Sequence, residues 1–107
     1  MVKRGEIWLV DLDPTTVGSE IQKTRPCVVV SPPEMHDYLR TVIIVPMTTG
    51  SRPAPFRIPI RHARKAGLIL LDQIRAIDKG RLVKRAGAVT PATLSATLSA
   101  LGETFAE

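Results

Sequence analysis

Lys23-Thr24-Arg25-Pro26-Cys27-Val28-Val29-Val30-Ser31, followed further along by Thr41-Val42-Ile43-Ile44-Val45-Pro46-Met47-Thr48, decides the fold. Each is a short run dominated by β-branched apolar residues and bounded by proline or turn residues. That is the pattern of a buried strand rather than of a helix. The first strand is read over Arg25–Ser31, with Pro26 at its start, where a missing N–H is tolerated, and Pro32-Pro33 as its end. The second, over Thr41–Met47, is the more apolar and is expected at the centre of a sheet.

Working outward, Gly5–Asp13 alternates Ile7 and Leu9 against Glu6, Asp11 and Asp13, and Trp8 adds β propensity. Asp13-Pro14-Thr15-Thr16 has turn chemistry and opens a polar loop that runs to Lys23. Thr48–Pro53 reads as another loop. Phe56, Ile58 and Ile60 alternate with Arg57 and Pro59, which predicts an edge strand. Arg61–Ala66 is expected to be a basic turn or short helix. A strand from Gly67 through Asp72 continues toward Ile77, and a short one covers Arg81–Arg85. Thr90-Pro91 opens the one clear helix, with Thr90 as N-cap and Pro91 at the first helical position. Leu94, Leu98, Leu101 and Phe105 mark its apolar face, and Ser95, Ser99 and Glu103 fall opposite. Five to seven short strands and a C-terminal helix give an α+β chain, read as a single domain over residues 1–107 built on a strongly bent sheet or small barrel.

Aromatic residues make up 4% of the chain, so the core must come from Val, Ile and Leu. The single cysteine, Cys27, excludes an internal disulfide and is read as a small buried hydrophobe rather than a nucleophile. No cysteine pair or His/Cys cluster offers zinc ligands, and no metal or other cofactor is expected. The N-terminus lacks the apolar segment of a signal peptide, and no apolar run is long enough to span a membrane, so a cytoplasmic location is expected. The formal charge of +5 is unevenly spread: residues 40–85 carry eleven Lys and Arg against Asp72 and Asp78, a net of +9. A segment this basic points to a polyanion partner, since neutralising phosphates releases counterions.

Gly5-Glu6-Ile7-Trp8 with Asp11-Leu12-Asp13-Pro14, then Gly18-Ser19-Glu20 with Lys23 through Ser31, then Val45-Pro46-Met47-Thr48-Thr49, and finally Leu70-Leu71-Asp72-Gln73-Ile74-Arg75-Ala76-Ile77-Asp78-Lys79, together resemble the MazF/PemK-type toxins of type II toxin–antitoxin systems. The four blocks stand in the family's order across residues 5–79. The resemblance implies a small SH3-like β-barrel with a short helix and a C-terminal helix, usually a homodimer. It implies a metal-independent endoribonuclease that cuts single-stranded RNA at short sequences, leaving 2′,3′-cyclic phosphate and 5′-OH ends. It also implies a cognate antitoxin whose C-terminal segment occupies the RNA groove. By the same match Arg25 and Thr48 are the catalytic pair, and Gly18, Ser19, Glu20, Lys23, Thr49, Arg52, Asp72, Gln73 and Arg75 contact RNA. One departure stands out: some relatives carry an arginine just before the acidic residue of the last block, where this chain has Leu70-Leu71-Asp72.

The chemistry agrees with these residue types. RNA brings its own nucleophile, the ribose 2′-OH, so the enzyme must hold that oxygen in line with phosphorus and stabilise the charge gathering on the phosphoryl oxygens. A planar, permanently charged guanidinium suits the second task, and a threonine hydroxyl can donate to the same group. An arginine with pKa above about 12 is a poor general base, so the proton-transfer groups stay unassigned. His36 and His62 are read as surface histidines, and Arg61, His62, Arg64 and Lys65 as mostly solvated with a minor share in phosphate binding. Asp72 and Arg75 are open to two readings, a structural ion pair or RNA contacts. Two other functions fit parts of the pattern: a non-enzymatic toxin resembling CcdB that binds DNA gyrase, and a nucleic-acid-binding module without catalysis.

Overall fold

The structure, a computed structural model, describes residues 1–12, 24–49 and 52–107. The strands run β1 Glu6–Asp11, β2 Thr24–Val29, β3 Thr41–Thr48, β4 Arg57–His62, β5 Lys65–Leu70, β6 Arg75–Asp78 and β7 Leu82–Ala88, with helices α1 Pro33–Tyr38 and α2 Pro91–Phe105. The seven strands form an antiparallel, curled sheet in the order β4-β5-β3-β2-β1-β7, with β6 also paired to β3. The expected bent sheet is therefore present, as a half-barrel.

The sheet forks at β3. Thr41–Ile44 pair with β6 and Met47–Thr48 pair with β5 along the same edge. One strand can do this because a turn of 3₁₀ helix, Leu71–Gln73, separates β5 from β6. The single strand expected from Gly67 toward Ile77 is thus two strands. Strand alternation sorts the core into two clusters on opposite faces of the sheet. Ile7, Val28, Val45, Met47 and Ile69 face α2 and pack with Leu101. Val10, Cys27, Val29, Val42, Ile44 and Ile77 fill the other face, inside the curl.

Two local expectations change. The short helix is α1, six residues that begin with Pro33 at the first helical position, not Arg61–Ala66. Arg61–Ala66 takes the turn alternative, as the tip of a tight hairpin with His62 opposite Lys65 and a two-residue turn in which Ala63 and Arg64 have φ of 52° and 66°. Positive φ at both central residues is what a hairpin of right-twisted strands requires. The α2 N-cap is as expected: Thr90 Oγ1 accepts from the Thr93 N–H at 3.2 Å. Its buried face differs, since Phe105 is 70% exposed while Thr97 is fully buried, its hydroxyl donating to the Thr93 carbonyl at 2.8 Å. Among the described residues no helix is long and apolar enough to cross a membrane.

Candidate active site

The pairing register builds one transverse row across the sheet. Thr48 on β3 pairs with Leu68 on β5, which pairs with Pro59 on β4. On the other flank β2 pairs with β3 from Val29–Ile44 to Cys27–Pro46, and Arg25 and Thr48 each lie two residues beyond that last pair on their own strands. Arg25 in turn pairs with Val10 on β1. Cys27 and Val29 share the inner face with Val42 and Ile44, so alternation puts the Arg25 and Thr48 side chains on that face as well. Arg25 is exposed and Thr48 half-buried, so both reach the surface at the end of their strands.

Arg75 stands on the same face, paired with Ile44. Its Nη1 donates to the Leu12 carbonyl at 3.3 Å, and Arg81 Nη1 reaches the same oxygen at 3.5 Å. No carboxylate among the described residues pairs with Arg25, Arg75 or Arg81. Arg75 and Arg81 thus converge on one carbonyl oxygen, and Arg25 and Arg75 both lie near Cys27. The Cys27 thiol registers the latter two. Burial pushes its pKa up to about 12, against the opposing pull of Arg25 and Arg75. Cys27 is thus inert, as its apolar setting implies.

Asp72 does not pair with Arg75. It takes both Arg57 Nε and Nη2, at 3.3 and 3.2 Å. The Arg57 hydrogen bonds hold its carboxyl below the ordinary aspartate range. The reason is topological: Arg57 opposes Leu70 just before the 3₁₀ turn that carries Asp72, while Arg75 opens the next strand on another face. Gln73 is exposed on that turn, and Thr49 and Arg52 are exposed at the β3 end. Phe56, read as the first residue of a strand, lies before β4 and is 48% exposed, its carbonyl accepting from the Leu71 N–H at 3.0 Å. Gly18, Ser19, Glu20 and Lys23 lie outside the described residues.

A cleft of about 260 Å³ opens at the same end of the sheet, lined by Pro26, Met47, Thr48, Thr49, Ile60, His62, Ala63, Lys65 and Gly67. Gly67 holds β5 against β3 here: a Cβ on it would lie 2.3 Å from the Thr48 carbonyl oxygen. The close approach of these two strands, and hence the position of Thr48, requires glycine at this place.

A family model of PemK-like, MazF-like toxins of type II toxin–antitoxin systems matches residues 3–105. The chain belongs to this family. It is 39% identical over 106 residues to the endoribonuclease PemK of Escherichia coli, covering 94% of this chain and 79% of that protein. It is 36% identical over 91 residues to the endoribonuclease MazF of Staphylococcus epidermidis, covering 79% and 75%. Among solved structures, a mycobacterial endoribonuclease in complex with its cognate antitoxin superposes with a TM-score of 0.79 at 25% identity, over 96% of this chain and 93% of that one. The curled sheet with two helices is thus the fold of the toxin family.

Within this toxin-family fold the two histidines part company, and neither is a plain surface residue. His36 is buried. Its Nδ1–H donates to the Val2 carbonyl at 3.1 Å, because that oxygen can only accept. Its Nε2 then accepts from the Ser31 hydroxyl at 2.6 Å, and Ser31 Oγ accepts from the Ile43 N–H at 3.0 Å. Both ring nitrogens are committed to joining the N-terminus, α1 and β3. His62 is half-buried and lines the cleft beside Thr48, with Gly87 on β7 leaving room for its ring. The signal for His62 in the sequence was its place in the Ile58-Ile60-His62 alternation, which carries it to the same face as those core residues.

Proposed function

We propose that this chain, an endoribonuclease of the PemK-like, MazF-like toxin family, cuts single-stranded RNA at short specific sequences without a metal ion, with Arg25 and Thr48 as the catalytic pair. The observation that supports the reading is that Arg25 and Thr48 stand at the ends of neighbouring antiparallel strands, two residues beyond the Cys27–Pro46 pair, near Arg75 and Arg81, which pair with no carboxylate among the described residues.

The 2′-oxygen attacks phosphorus, the P–O5′ bond breaks, and the products are a 2′,3′-cyclic phosphate and a 5′-OH end. Arg25 bonds the non-bridging oxygens as negative charge gathers there, and the Thr48 hydroxyl donates to the same group. Thr49, Arg52, Asp72, Gln73 and Arg75, with Gly18, Ser19, Glu20 and Lys23, hold the flanking strand. His36 takes no part in proton transfer, since both ring nitrogens are engaged inside the fold. A cognate antitoxin is a partner, by analogy with the mycobacterial endoribonuclease in complex with its antitoxin; its C-terminal segment occupies the same basic face, and two copies of the chain associate as a homodimer.

Incubation of a mixed RNA with the purified protein in EDTA tests the reading. Discrete cuts with 5′-OH ends are expected, and Arg25→Ala or Thr48→Val should slow cutting about 10²–10³-fold, the usual cost of losing one charge-stabilising donor. Cutting that persists in Arg25→Ala, or at a 2′-deoxy position, overturns it.

A further inference from the structure

We propose that the cleft between the β4–β5 tip and the end of β3 is a second RNA subsite, which receives the base of a nucleotide next to the scissile phosphate, with Lys65 on its phosphate and His62 reading the base edge. The inference rests on the cleavage reading above.

Position is the first argument. Pro26 and Met47 line the cleft and are the chain neighbours of Arg25 and Thr48. Alternation turns Met47 to the face that packs against α2, opposite the Arg25–Thr48 face. The cleft and the catalytic row are therefore two faces of the same strand ends. Attack by a 2′-oxygen in line with the leaving oxygen requires the two nucleotides flanking phosphorus to diverge, and single-stranded RNA is read by bases splayed out of the stack. A slot just across the strand ends from the reacting phosphate gives one of those bases a place to go.

The walls and rim fit that occupant. About 260 Å³ is below the volume of pockets for drug-sized ligands and suits one planar group between the apolar sides of Pro26, Met47 and Ile60. His62 and Lys65 are a registered pair, so both side chains leave the hairpin on the cleft side. Arg64 sits at the turn itself and does not line the cleft. Arg61, Arg64 and Lys65 pair with no carboxylate among the described residues, which favours a polyanion strand over an uncharged or basic partner. Ala63 and Arg64 both hold left-handed φ without glycine, a strained turn of the kind found where a ligand clamp must be held in one shape.

The test uses the full chain on an oligonucleotide containing a cut site mapped with the wild-type protein. Lys65→Ala, at an exposed position, should weaken RNA binding and lower the slope of log affinity against log salt by about 0.7, the loss of one phosphate contact on a single strand. Arg64→Ala should shift neither by as much. His62→Ala should change the preference among bases at one flanking position by about tenfold in competitive kcat/KM, with His62→Gln restoring part of it. A substrate that is abasic at that flanking nucleotide, with its ribose and phosphates intact, should be cut equally by the wild type and His62→Ala. An unchanged base preference in a folded His62→Ala protein, or equal effects of Lys65→Ala and Arg64→Ala, overturns the subsite while leaving the cleavage reading intact. So does a cleft that binds an acidic peptide while Lys65→Ala leaves RNA binding untouched. A wild-type protein that cuts no RNA overturns both.

Discussion

Gly67→Ala should injure stability and cleavage together. The added Cβ would stand 2.3 Å from the Thr48 carbonyl oxygen, 3.2 Å from its carbon and 3.5 Å from Thr49 Cα. All three are backbone atoms, so no side chain can rotate away, and β5 must move back from β3 by roughly 1 Å to regain van der Waals contact. The pairs at stake are Met47 with Ile69 and Thr48 with Leu68, the whole registered contact between these strands. Overpacking of this kind costs about 1–3 kcal/mol. For a chain of this size that lowers Tm by about 10 °C. The same shift carries Thr48 out of line with Arg25, and a misplacement near 1 Å can cost about 10²-fold in rate. Differential scanning calorimetry and a fluorogenic RNA assay, run well below the lowered Tm, separate the two effects. A Gly67→Ala protein with wild-type Tm and wild-type kcat/KM would refute the reasoning. So would a loss of Tm without loss of rate, because then Thr48 would not depend on the β3–β5 contact.

Other expectations follow from the same geometry. His36→Ala leaves the Ser31 hydroxyl and the Val2 carbonyl short of a partner and should cost about 1–3 kcal/mol in thermal or urea unfolding, with kcat per folded molecule unchanged; a rate loss without destabilisation would contradict the structural role. The Cys27 thiol should resist Ellman's reagent until the chain unfolds, and rapid native-state labelling would show that burial misjudged. Burial alone would push Glu6 up, but hydrogen bonds from Trp8, the Lys3 N–H and Arg85 hold it below the ordinary glutamate value of 4.5. Its contribution is complete above that value and is lost as pH falls through the lower folded-state pKa. Thermal melts between about pH 7 and pH 3 should therefore show a shallower acid decline in Glu6→Gln than in the wild type, and identical declines would remove Glu6 from the account.

The strands were legible in two ways: Cys27-Val28-Val29 as an unbroken apolar run, buried on both faces, and Ile58 and Ile60 as an alternation against Arg57 and Pro59. The breaks were not legible. Leu68-Ile69-Leu70-Leu71 is an unbroken apolar run, and only the fork at β3 requires a 3₁₀ turn at Leu71–Gln73. Helix α1 is too short for periodicity to show, and Pro32-Pro33 reads equally as the end of a strand or the start of a helix. Thr97 can be buried because its hydroxyl finds a partner in its own helix. At the site, the motif blocks gave Arg25 and Thr48 as a pair, but which strands bring their ends together is a matter of register, which no local pattern encodes. The Arg57–Asp72 pair and the burial of His36 depend on partners 15 and 34 residues away.

The fork at β3 has an evolutionary side. Among the described residues, strand pairing joins the β4–β5 hairpin to the rest of the sheet through two residues, Met47 and Thr48, while β1, β2, β6 and β7 pair without it. Descendants of such a chain are free to lengthen, shorten or recharge the hairpin without redrawing the curled body that presents Arg25. A change in the hairpin then reaches the rest of the sheet, as far as strand pairing carries it, through the end of β3.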